Sequence, residues 1–216
     1  MAIVYVFFDL DGTLTESAPG ITNSVSYALS KFGISVRDKT ALQKFIGPPL
    51  LDSFMNYYDM TKEEAGQAIE YYREYFGERG LFENSVYAGV YDMLSELKKD
   101  GKKLFVATSK PEPYTFRILD HFDLMKFFDI VAGATMDGSR CRKSDVLKYA
   151  IEKADIKDLS KAVMIGDREN DITGAKNNKI RSIGVLYGYG DETELTLAGA
   201  DYIAKTPCEV TEYLRR

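Results

Sequence analysis

The chain has 216 residues, of which 45% are hydrophobic and 28% charged, and a formal net charge of −5. That length suits one α/β domain with a modest second lobe, and the acidic balance offers no basic stripe for nucleic acid. No apolar run reaches the ~18 residues of a membrane span, and the N-terminus has no basic stretch or small-residue cleavage site, so a cytoplasmic address is expected.

In chain order, short apolar runs bounded by turn chemistry predict strands over 3–8, 103–107, 128–132, 162–165, 181–185 and 201–204. Helical patterns fall between them. Ile21, Val25, Ala28, Leu29 and Phe32 mark one amphipathic helix, and another is predicted to start at Thr61, with Glu64 completing a capping box. That second helix carries Ile69, Tyr72 and Phe76 along one side. Val90, Met93, Leu94 and Leu97 repeat at i, i+3, i+4 and i+7; Phe116, Ile118 and Leu119, then Val146, Leu147, Ala150 and Ile151, continue the alternation. Strand–helix alternation with near-continuous apolar strands predicts a parallel sheet covered on both faces.

One region breaks the rhythm. Roughly 90 residues separate the first two strands, where a crossover needs about 12. An α/β core over 1–15 and 86–216, with an inserted helical cap over 16–85, accounts for this. The cap leaves and returns at neighbouring points, as a lid would.

Ligands of parallel α/β sheets bind beyond the carboxyl ends of the strands. Those ends carry DLDGT (9–13), TSK (108–110) and GDREND (166–171), with DGSRCRK (137–143) after the third strand. Asp9, Asp11, Asp167 and Asp171 cannot crowd together ionised without a cation, because neighbouring carboxylates raise one another's pKa. Mg²⁺ suits such hard oxygen donors. Period-2 alternation puts Asp9 and Asp11 on one side of an extended chain, where one can attack while the other handles a proton. With a hydroxyl and a lysine nearby, this is equipment for phosphoryl transfer through an aspartyl-phosphate.

FDLDGTL (8–14), VATSK (106–110), Lys143 and GDRENDI (166–172) match in order the four motifs of the haloacid dehalogenase-like phosphatases, which the chain resembles over most of its length. IGPPL (46–50), DGSRCRK and GVLYGYG (184–190) are similar to the phosphoglycolate-phosphatase-like branch. The resemblance implies a Rossmann-like sheet with the first strand central and a helical cap. By position it implies Asp9 as nucleophile and Asp11 as general acid/base, the latter also binding Mg²⁺ through its main-chain carbonyl. It further implies Thr108 and the Ser109 amide on the phosphoryl oxygens, Lys143 neutralising Asp9 and the phosphoryl group, Asp167 as a direct metal ligand, and Asp171 acting through water.

The substrate implied is a small phosphorylated metabolite, phosphoglycolate first and a nucleoside 5′-monophosphate second. Gly47 and Pro48, with Lys44 nearby, are candidates for selecting it; Arg37 and Lys39 are further cations in that stretch. The cap aromatics Tyr57, Tyr58, Tyr71, Tyr72, Tyr75 and Phe76 fit cap core better than nucleobase stacking. Asp11 argues against a dehalogenase, and the lack of a histidine in SAPGITNSV (17–25) argues against a sugar-phosphate mutase. A phospho-aspartate signalling receiver is the alternative from another class, disfavoured by the second acid and by the cap; a non-catalytic binding relative is a further one, against which the intact motifs argue. Cys141 and Cys208 lack C-x-x-C spacing and read as free thiols, His121 as structural. GVLYGYG lacks G-x-G-x-x-G spacing and is no dinucleotide fingerprint. A monomer or homodimer is expected.

Overall fold

The computed structural model describes residues 2–216. In chain order, β1 (Tyr5–Phe8) and β2 (Thr15–Glu16) precede α1 (Ala18–Ser30), α2 (Leu50–Tyr58), α3 (Lys62–Tyr75) and β3 (Ser85–Val86). α4 (Val90–Lys99), β4 (Lys103–Pro111), α5 (Glu112–His121), β5 (Ile130–Ala134), α6 (Lys143–Lys153) and β6 (Ala162–Gly166) follow. The chain ends with α7 (Glu169–Asn177), β7 (Arg181–Val185), α8 (Glu192–Ala198), β8 (Tyr202–Ala204) and α9 (Pro207–Leu214).

Six strands form one sheet in the order β5-β4-β1-β6-β7-β8, with every described pairing parallel. β1 is internal, and Val6, Phe7 and Phe8 are all fully buried. That explains why its sequence is continuously apolar instead of alternating. On one face Phe7 stacks on Phe105 at 4.8 Å, and both pack into a cluster with Val146, Leu147 and Ala150 of α6, Met164 of β6 and Ala175 of α7. On α4, the four residues spaced for one helix face, Val90, Met93, Leu94 and Leu97, are its buried residues.

Local chemistry places most elements, and the differences have physical reasons. β4 runs four residues beyond the predicted 107, past a register irregularity between Ala107 and Pro111, because polar Thr108 and Ser109 still take extended backbone. β2 and β3 pair as a separate ribbon that the sequence did not predict; two-residue strands carry no periodicity. Phe116, expected on the apolar face of α5, is 41% exposed, while Ile118 and Leu119 are buried.

The chain divides into two compact units, Met1–Thr15 with Val86–Arg216, and Glu16–Ser85. The second is helical. Thr61 caps α3 by accepting from the Glu64 amide, and the Glu64 carboxylate accepts from the Thr61 amide. Ile21, Val25, Ala28 and Leu29 of α1, Phe54 of α2, and Ala65, Ala68 and Tyr72 of α3 form its interior with Leu42 and Phe45. The unit's aromatics are mostly spent on one another: Tyr72 stacks on Phe76 at 5.2 Å, Tyr27 meets Tyr75 at 5.4 Å, and Phe45 meets Tyr57 at 5.5 Å.

Candidate active site

Asp9 follows the last residue of β1, and its amide still donates to Ile165 O of the neighbouring β6. The chain then turns sharply. The Leu14 amide donates to Leu10 O, and Gly12 takes a φ of +81°, a left-handed conformation that favours glycine. The turn folds the Asp9 carboxylate onto its own chain, where Oδ1 accepts from the Leu10 amide at 2.7 Å.

Lys143 occupies the first turn of α6 but is only 6% exposed, so it is no solvated helix-start lysine. Its ammonium lies 2.6 Å from Asp9 Oδ1 and 2.8 Å from Asp171 Oδ1, and donates to Ala107 O at 3.2 Å. Burial works against this charge, but Asp171 and Asp9 together overcome it and hold the ammonium's pKa above its ordinary value. Asp171 sits in the first turn of α7, where its Oδ2 accepts from the Arg168 amide at 3.1 Å. Both of its oxygens are therefore engaged.

Asp167, fully buried, directly follows β6. Its Oδ1 accepts from Thr13 Oγ1 at 3.2 Å and its Oδ2 from the Tyr189 amide at 2.8 Å. Burial, then Asp171 and Asp9, push its carboxyl well above the usual range against the pull of the Tyr189 amide. Asp171 is pushed up to about 6: burial and Asp9 outweigh the Lys143 ammonium, which Asp171 shares with Asp9. Asp9, Asp167 and Asp171 each offer an oxygen such that these atoms lie within 4.8 Å of one another. Lys143 contacts Asp9 and Asp171 while Asp167 is held by neutral donors, so acids outnumber the lysine in this cluster, and all-oxygen donors fit a hard divalent cation.

The fourth acid, Asp11, is paired separately. Its Oδ2 lies 3.0 Å from the Lys110 ammonium, and its Oδ1 is buried without a hydrogen-bond partner among the described residues. Thr108 is 1% exposed, and its hydroxyl accepts from the Lys110 amide; Ser109 is partly exposed beside it.

The structure thus brings Asp9, Asp11, Thr108, Ser109, Lys143, Asp167 and Asp171 to the carboxyl end of one sheet. Gly47, Pro48 and Lys44 belong to the helical unit. There Gly47 has a φ of +102°, and the Lys44 ammonium lies 4.3 Å from the Tyr57 ring centre. Lys39 is engaged with Asn23 at 2.6 Å, and Arg37 is exposed. Cys141 and Cys208 are free, and His121 is exposed at the end of α5.

Sequence reasoning missed three contributors. Lys110 was visible beside Thr108 and Ser109, but nothing local paired it with Asp11. Thr13 and the 187–190 loop reach Asp167 only through the tertiary fold. An open groove of about 480 Å³ bordered by Ile3, Lys102 and Arg181 lies at the opposite, amino ends of the strands, away from the acids.

A parallel α/β fold with an acid pair after β1, a buried lysine, and two further acids after β6 carries the residue types of a phosphoryl-transfer enzyme. The sequence profile of the haloacid dehalogenase-like hydrolases matches residues 6–185, and the chain belongs to that family. A predicted phosphatase from Clostridium acetobutylicum has a solved structure that superposes with a TM-score of 0.97 at 50% identity, covering 100% of this chain and 99% of that one. A 5′-nucleotidase of Pseudomonas aeruginosa is 41% identical over 88% of this chain and 86% of its own length. Tyrosine-protein kinase PtkA of Mycobacterium tuberculosis is 39% identical over 96% of this chain and 68% of its own length. A phosphoglycolate phosphatase of Caulobacter vibrioides is 30% identical over 92% and 85%. Within the family the chain is a phosphoric monoester hydrolase, similar to the phosphoglycolate-phosphatase-like branch.

Proposed function

We propose that the protein hydrolyses a small phosphomonoester in two steps through a phosphorylated Asp9, with Mg²⁺ as cofactor. The observation that carries this reading is the Asp9–Lys143 contact of 2.6 Å, with Asp11 two residues on. The Lys143 ammonium, 2.6 Å from Asp9 Oδ1, fixes the nucleophile in place and offsets charge gathering on the phosphoryl oxygens. Asp9 attacks phosphorus in line, and Asp11 gives its proton to the leaving oxygen. Asp11 then takes a proton from the water that hydrolyses phospho-Asp9, so inorganic phosphate leaves, Asp9 is released as the carboxylate and Asp11 regains the proton it gave. The Thr108 hydroxyl and the Ser109 amide bind phosphoryl oxygens during both steps.

Asp9, Asp167 and the Asp11 carbonyl would hold Mg²⁺. Asp171 would act through water, since Lys143 and the Arg168 amide engage its oxygens. When bound, the ion supplies positive charge against the transferring phosphoryl group. The inserted unit over 16–85 would serve as the cap that selects substrate, with Lys44, Gly47 and Pro48 as its specificity residues.

Asp9→Asn is expected to abolish phosphate release while leaving far-UV circular dichroism unchanged; normal turnover would sink the mechanism. For the substrate, phosphoglycolate and nucleoside 5′-monophosphates are the two arms. The 41% identity to a 5′-nucleotidase favours the nucleotide over the lead that the motifs gave phosphoglycolate. A phosphate-release screen over phosphomonoesters, ranked by kcat/KM, decides between them. The kinase name of one relative supplies a third arm: stoichiometric labelling from ATP without phosphate release would exclude a phosphatase.

A further inference from the structure

The GVLYGYG segment is no dinucleotide fingerprint, yet the structure gives each of its last residues a place around one carboxylate. A methyl group at Gly188 would stand 2.2 Å from Gly12 O and 2.4 Å from Asp167 Cβ. At Gly190 it would stand 1.9 Å from Asp167 O. From the other side, a Cβ at Gly12 would meet Asp167 Oδ2 at 2.2 Å. Three glycines from two separate loops therefore close on Asp167, touching its carboxylate, its Cβ and its carbonyl. Between them, the Tyr189 amide and the Thr13 hydroxyl each hold one carboxylate oxygen, at 2.8 and 3.2 Å. The loop is anchored by Tyr187, whose ring meets that of Tyr87 edge-on at 5.3 Å.

We propose that residues 187–190 are a positioning element for Mg²⁺ binding, fixing the rotamer in which Asp167 faces the ion. The inference rests on the reading of Asp167 as a metal ligand. The physical reason is that a ligating carboxylate with free torsions must be ordered when the ion arrives. One already held at both oxygens has lost that freedom on folding. Packing as tight as this tolerates only glycine at 188 and 190, because the obstructing atoms are backbone or the carboxylate's own stem.

The test is calorimetric titration of Mg²⁺ into the full chain, comparing wild type with Gly188→Ala and Gly190→Ala. Gly184→Ala serves as the control for general loosening. It lies in β7, just before the loop, and would press on Leu195 at 2.9 Å without touching an acid. The two loop variants are expected to bind Mg²⁺ about tenfold more weakly or worse. Gly184→Ala is expected to stay within about twofold, and saturating Mg²⁺ should restore most of the loop variants' kcat. Unchanged affinity in the loop variants, or an equal loss in Gly184→Ala, overturns the proposal. A wild type that binds no Mg²⁺ removes the underlying metal reading instead, and this inference with it. Hydrogen exchange on the wild type needs no variant: the Tyr189 amide should stay protected when Mg²⁺ is added. Faster exchange there would mean that Asp167 lets go of the loop to reach the ion, which also overturns the proposal.

Discussion

The Lys110 ammonium lies 3.0 Å from Asp11 Oδ2, with the two side chains only 4% and 13% exposed. The site therefore holds two lysine–aspartate systems, and they differ in design. Lys143 is divided between Asp9 and Asp171, whereas Lys110 reaches one oxygen of Asp11 and leaves the other buried without a hydrogen-bond partner among the described residues. A carboxylate fixed through one oxygen and unengaged at the other suits proton exchange with a bound group.

Removing Lys110 alone should be costly. Lys110→Met strips Asp11 Oδ2 of its ammonium partner while Oδ1 already has no hydrogen-bond partner among the described residues, and a loss of about 3 kcal/mol is expected. Urea denaturation measures it. The Lys110→Met/Asp11→Asn double variant should recover most of the loss, because no unpaired charge is then left behind. Additive losses would mean that the two groups are not energetically coupled.

Lys143 should matter more for turnover than for substrate affinity. Lys143→Met removes the ammonium that lies against Asp9 and Asp171 and would face the transferring phosphoryl group, and kcat at saturating Mg²⁺ should fall about 10³-fold. Lys143→Arg should not rescue it. The lysine side chain is 4% exposed and its ammonium is held by Asp9, Asp171 and the Ala107 carbonyl at 2.6, 2.8 and 3.2 Å, a three-acceptor arrangement that a planar guanidinium fork does not match. Activity in Lys143→Met within tenfold of wild type would count against its role beside Asp9.

Which of these features could be read in advance follows from the range of the interaction. Asp9 and Asp11 share a side by the alternation of an extended chain, and Thr61 with Glu64 caps a helix across three residues; both are local rules. The parallel sheet was legible because Val6, Phe7 and Phe8 are buried on both faces and so cannot alternate. Thr13 and Asp167, by contrast, are 154 positions apart, and no spacing rule joins them. Lys110 is hidden differently: its neighbours in sequence suggest a helix start, but β4 continues through it to Pro111 and carries its ammonium to Asp11. Of the helical unit's aromatics expected as core, Tyr72 and Phe76 are buried, Tyr58, Tyr71 and Tyr75 are half-buried, and Tyr57 stays 40% exposed under Lys44, because helical spacing marks a face but not how much of it the unit covers.

The helical unit has its own vulnerable point. In α1, a Cβ at Gly20 would stand 2.0 Å from the carbonyl oxygen of Gly80, a backbone atom that cannot rotate away. Gly20→Ala should therefore destabilise by about 1–3 kcal/mol through overpacking, even though alanine is the better helix former. Gly66→Ala, in α3 with nothing within 4 Å, should instead stabilise by up to about 1 kcal/mol. Opposite shifts in melting temperature for two glycine-to-alanine changes in one unit would separate packing from propensity. A Gly20→Ala melting temperature at or above wild type would refute the tight contact.

The acids around Lys143 predict how metal and pH act together. Burial and mutual repulsion raise the Asp171 carboxyl to about 6 and Asp167 well above the ordinary range. In the unfolded chain both titrate near the reference value of about 3.9. Above that value the folded protein keeps protons that the unfolded chain has released, so these groups' contribution to stability falls as pH rises from about 4 through 6 and beyond. Mg²⁺ competes with those protons and relieves the repulsion only where the acids are ionised. In EDTA, these acids should therefore make the protein less stable at pH 7.5 than at pH 5. Added Mg²⁺ should raise the melting temperature strongly at pH 7.5 and little at pH 5, the gain at a hundredfold excess over Kd being worth about 2.7 kcal/mol. Other carboxylates work in the opposite sense, such as Asp137, lowered to about 2 by hydrogen bonds from Thr135 and Ser139. They lie outside the group of acids able to hold a metal, so subtracting the EDTA melt from the Mg²⁺ melt at each pH removes them. An equal Mg²⁺ gain at both pH values would mean that the ion is held by groups other than these acids.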